Sequence, residues 1–62
     1  MNTEMLRREF ENILDSEIAA KHIYDHYIAK LDDENVKKRL IAIRNDEKLH
    51  IKIANDLIKC VS

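Results

Sequence analysis

The chain has 62 residues, a formal net charge of −1, one cysteine, and neither glycine nor proline. That balance gives no electrostatic basis for binding nucleic acid or an anionic membrane. No apolar run approaches the ~18 residues a membrane span needs, and the single Cys60 has no partner for an internal disulfide.

Charged residues at 37% and hydrophobic ones at 45%, without a helix breaker, read as one almost entirely helical domain. A monomer of this size buries too little apolar surface to be comfortable alone. Met1 leads into the charged run "NTEMLRREF". No signal peptide is therefore expected, and with one unpaired cysteine the expected compartment is the cytoplasm.

The first element is expected over about residues 3–31, with Asn2 or Thr3 as its N-cap. Positions 6, 10, 13, 17, 20, 24, 27 and 31 read Leu, Phe, Ile, Glu, Ala, Tyr, Tyr, Leu. Their spacing alternates four and three, which is a heptad seam with one polar intruder, Glu17. Tyr27 is expected in the core. Extending the seam by sevens beyond Leu31 reaches Lys38, Asn45, Lys52 and Lys59. The helix must therefore break, and "DDEN" at 32–35 is the place, with Asp32 or Asp33 as the N-cap of a second helix.

The second element is expected over about residues 34–60. Its own seam runs through Val36, Leu40, Ile43, Glu47, His50, Ala54, Leu57 and Val61. Two polar residues, Glu47 and His50, stand where leucine is expected. A connection this short makes the helices antiparallel neighbours. Leu14, Ile23, Ile28, Ile51, Ile53 and Ile58 widen the seams, as suits a helix that touches two neighbours. The expected fold is all-α: an antiparallel helical hairpin that dimerises about a twofold axis into a four-helix bundle. Ile18 and Ile41 fall outside the seams, as scattered surface residues or as a further interface between dimers.

Folding the hairpin about residue 33 brings Glu17 level with residues near 49. Glu17, Glu47 and His50 then meet at one height, and the three-residue spacing of Glu47 and His50 puts both on one helix face. Two copies would bring four carboxylates and two imidazoles to the bundle axis. Buried without partners these are very costly, whereas two divalent cations neutralise them. Carboxylate and imidazole donors suit iron or manganese, with zinc as a further option. The bland reading is a set of register-fixing polar residues, as buried Asn is in coiled coils.

"SEIAAKHIYDHY" followed by "RNDEKLHIKI" resembles the ferritin-like superfamily in its rubrerythrin-like branch. The likeness is nearest to the two-helix encapsulated ferritins and covers about residues 13–58. The resemblance implies a di-iron site across a dimer interface, with two iron ions per dimer held by Glu17, Glu47 and His50. Glu47 would bridge the ions, Glu17 and His50 would cap them, and Tyr24 would stand beside the ligands as a tentative catalytic residue. The implied activity is oxidation of Fe(II) with O2 or peroxide. That group carries further acidic residues where this chain has Ser16 and Ala19, and a C-terminal peptide where this chain reaches Ser62. Docking into an encapsulin shell is therefore not expected. A homodimer, or a higher homo-oligomer with rubrerythrin-like redox chemistry, is.

Other readings stay open at this point: a dimeric, non-enzymatic helical interaction module, or a dimer stapled by metal without turnover. His22 and His26, four apart, read as exposed histidines, with a surface metal site as the sharper alternative. Cys60 reads as a small apolar residue, and "VKKR" at 36–39 as a solvated face.

Overall fold

The computed structural model describes residues 2–61. It contains two helices, α1 (Thr3–Lys30) and α2 (Glu34–Cys60), packed against each other as a hairpin within an envelope of 47 × 14 × 14 Å. Neither is long and apolar enough to cross a membrane.

Local chemistry sets the helix ends. Asn2 is extended and its side chain accepts from the Met5 amide at 2.8 Å, while its carbonyl takes the Leu6 amide at 3.1 Å. Asp33 caps α2 twice over, its Oδ1 accepting from the Asn35 amide at 2.9 Å and the Val36 amide at 3.1 Å. Glu4 and Glu34 in the first turns, and Lys30 and Lys59 in the last, complement the helix dipoles. The first helix stops at Lys30, one residue short of the seam's last member. Leu31 turns extended while its amide still bonds the Tyr27 carbonyl at 3.0 Å, so it closes the helix from outside and packs half-buried.

The hairpin has almost no interior. Only Ala54, at 2% exposure, is buried among the described residues. The contact line between the helices is drawn by half-buried side chains. On α1 they include Leu6, Phe10, Leu14, Glu17, Tyr24 and Ile28; on α2 they include Leu40, Glu47, Ile51 and Ile58.

The rest of each seam is open. Ile13 and Tyr27 on α1, and Val36, Ile43, His50 and Leu57 on α2, are exposed at seven-residue multiples, and Ile23 and Ile53 beside them are exposed too. Tyr27 is therefore not a core residue of the hairpin: it is 52% exposed, with the His26 ring edge-on at 5.4 Å. The heptad reading merges two faces, one closed by the other helix and one left open.

The opposite flank is polar. Asp25 and Arg44 each follow a seam residue by one position, a rotation of about 100° that carries them across the contact line. Asp25 Oδ1 accepts from Arg44 Nη1 at 2.9 Å and Oδ2 from Lys21 Nζ at 2.7 Å. The Lys21 hydrogen bond first, then that of Arg44, holds the Asp25 carboxyl below its ordinary 3.8. Folding thus favours charged Asp25, and this contribution is complete above that ordinary value and lost as pH falls through the lowered one. An NMR titration of the Asp25 side-chain carbon is expected to show a midpoint below 3.8, returning toward it in Lys21→Gln/Arg44→Gln. A midpoint at the ordinary value in the unaltered chain would contradict the pairing.

Candidate metal centre

Glu17, Glu47 and His50 come together midway along the hairpin, each offering one donor atom within 4.8 Å of the other two. The hairpin register and the helix period do this jointly. Glu17 lies on the α1 contact line, Glu47 lies opposite on α2, and His50 stands one turn beyond Glu47, rotated toward the open face. His50 Nδ1 stands 3.5 Å from Glu17 Oε2, with the imidazole 51% exposed and the carboxylate 25%. This is a long contact, and with Arg44–Asp25 it is one of two contacts between a basic and an acidic side chain that cross between the helices among the described residues.

Glu47 differs from its neighbours. Its Oε2 is enclosed by protein and has no hydrogen-bond partner. An ionised oxygen in that state loses its hydration and receives nothing in return, which ordinarily costs about 1–3 kcal/mol or more. The residue is half-buried at the contact line between the two helices.

Above the cluster runs an open groove of about 270 Å³ lined by Ile13, Glu17, His50, Ile53, Ala54 and Leu57. Its walls are aliphatic and its only polar side chains are two of the three cluster members. The donor set fits a divalent cation: two carboxylates and one imidazole, all oxygen and nitrogen. Ligand bonds of about 2.0–2.2 Å place two donors on one ion up to about 4.3 Å apart. The three donors therefore stand within side-chain adjustment of a common ion. One hairpin supplies three donors, too few to close the shells of two ions.

Tyr24 sits half-buried on the contact line, two turns from Glu17, and among the described residues its hydroxyl makes no hydrogen bond. His22 and His26 are exposed on α1 and belong to no group of three metal-ligating side chains among the described residues. Cys60 is exposed. The residues that sequence reasoning missed are Lys21 and Arg44, which with Asp25 form the polar flank beside the cluster. The Lys21–Asp25 spacing of four was a readable signal; the Arg44 contact lies off both seams and was not.

Comparison of the chain with protein-family models, with curated proteins and with solved structures returns no match.

If Glu47 Oε2 is as isolated as it stands here, removing the carboxylate strengthens the metal-free protein. Glu47→Leu is expected to raise its stability by about 1–3 kcal/mol, read from the denaturation midpoint in the presence of chelator. A lower midpoint than that of the unaltered chain would mean that Glu47 has a partner that keeps it satisfied.

Proposed function

We propose that two copies of this hairpin pack through their open faces into a ferritin-like four-helix bundle, and that Glu17, Glu47 and His50 of both copies hold a di-metal centre that oxidises Fe(II) with O2 or peroxide. The observation that carries the reading is the unpartnered, enclosed Glu47 Oε2 beside two further metal-type donors. A chain that needed only a stable hairpin gains nothing from a carboxylate there, and a cation is the partner that would satisfy it.

The open face supports the dimer. Ile13, Ile43, Ile53, Leu57 and Tyr27 are exposed and make a largely apolar stripe, interrupted by His50, on a chain with one buried residue among those described. A twofold-related copy laid on that stripe turns an exposed seam into a core and brings the second set of donors to the first. When bound, an iron pair supplies two electrons, enough to take O2 to peroxide or peroxide to water. The protein's part is to set the donors at fixed spacing and, through Ile13, Ile53 and Leu57, to keep bulk water from the groove. Manganese and zinc fit the same donors, and zinc would give a stapled dimer without turnover.

Native mass spectrometry after anaerobic Fe(II) addition tests the reading. Two irons in two chains, lost in Glu17→Ala, are the expected result, together with oxygen or peroxide consumption by the loaded protein. Metal-free dimers at saturating Fe(II) would leave an interaction module instead, and iron uptake without oxidant consumption a structural staple. Independently, Ile13→Asp or Leu57→Asp is expected to shift sedimentation from dimer to monomer with helicity by circular dichroism reduced only in part. A chain that sediments unchanged would remove the open face from the interface.

A further inference from the structure

The carboxylates of the cluster stand beside two cations that do not touch them. Lys21 lies four residues after Glu17, with the acid N-terminal to the base, which is the favoured order for a helical ion pair. Arg44 precedes Glu47 by three, also within reach on one helix. Yet among the described residues neither pairing forms. Lys21 Nζ is on Asp25 Oδ2 at 2.7 Å, in the less favoured order of base before acid. Arg44 Nη1 is on Asp25 Oδ1 at 2.9 Å, and its Nε donates to Asn45 Oδ1 at 3.2 Å. Glu47 Oε2 meanwhile has nothing. One carboxylate, Asp25, holds both cations, one on each oxygen.

We infer that Asp25 is a positioning residue for the metal centre: by engaging Lys21 and Arg44 together it keeps them off Glu17 and Glu47, so that both carboxylates remain free to bind a cation. The inference rests on the metal reading of the cluster and deepens it. The alternative role for the same contacts is a plain clamp between α1 and α2. The two roles differ in sign when the cations are removed. A clamp is lost whether the acid or the bases go. Sequestration matters only while the cations are there to compete.

Mn(II) binding to the full chain, monitored by electron paramagnetic resonance of the free ion, separates these roles without relying on turnover. Asp25→Asn frees Lys21 and Arg44 to pair with Glu17 and Glu47, and each charge-assisted contact must then be broken for metal to enter. Mn(II) affinity is expected to fall by about tenfold or more. Adding Lys21→Gln and Arg44→Gln to Asp25→Asn is expected to restore it. Lys21→Gln/Arg44→Gln alone, with Asp25 intact, is expected to bind Mn(II) at least as tightly as the unaltered chain, and this variant decides the matter even where Asp25→Asn fails to fold. Weakened binding in that double variant at unchanged helicity would make the triad a clamp and overturn the inference. So would an Asp25→Asn variant that folds and binds normally. Absence of Mn(II) uptake by the unaltered chain would remove the metal reading itself, and this inference with it.

Discussion

Two antiparallel helices touch along a line and enclose nothing between them, and the remaining features of this structure are consequences of that constraint. Each helix offers the other one narrow strip. Along it, side chains as large as Phe10, Tyr24 and Leu40 stay only partly buried, and among the described residues only the small Ala54 is fully covered. Helix formation itself is well supported at the ends, by Asn2 and by the doubly accepting Asp33. Capping of this kind is worth about 1 kcal/mol per helix, which settles where helices begin and does not supply a core. The apolar area that could supply one lies on the outside, in the stripe from Ile13 to Tyr27 on α1 and from Val36 to Leu57 on α2. The proposed dimer would cover this stripe with a second copy of itself, since a twofold axis sets one surface against the same surface.

Charge divides the hairpin along its length. On one flank of the contact line, Asp25 gathers Lys21 and Arg44 into a satisfied group, with its carboxyl held below the ordinary range by both. On the contact line itself, Glu17 has only a long contact to His50, and Glu47 Oε2 has no hydrogen-bond partner. Acids and bases are close to equal in number over the whole chain. The imbalance at the cluster is therefore a matter of placement. The proposed metal centre rests on that placement: carboxylates left without a base while two bases stand one turn away.

Much of this was legible in the residues. The loss of phase between the seams located the loop, because Lys38, Asn45, Lys52 and Lys59 cannot continue a stripe that ends at Leu31. The meeting of Glu17 with Glu47 and His50 came from folding about residue 33, since a short connection leaves little freedom of register. Tyr27 is exposed in the hairpin although it lies on the seam, and the reason is physical. A heptad pattern records every face that is apolar, without saying which neighbour covers it, so a residue facing a second copy and one facing the other helix look alike. The Asp25–Arg44 contact was hidden for the converse reason. Both residues stand one position off the seams, where polar side chains are ordinary, and only the register across the hairpin makes them a pair.

The polar cluster and the open face constrain each other. A lone hairpin with leucine at positions 17, 47 and 50 would still expose Ile13, Ile53 and Leu57, so removing the acids does not by itself make a satisfied monomer. Closing the open face without neutralising the acids is equally incomplete, because a twofold copy brings two more carboxylates and another imidazole to the same height, where burial strengthens their repulsion. In the proposed dimer, hydrophobic closure would favour the pairing of hairpins and the gathered carboxylates would oppose it. A bound cation is the one change that reverses the sign of the second term while leaving the first intact, which is why the metal reading and the dimer reading stand together as a single proposal.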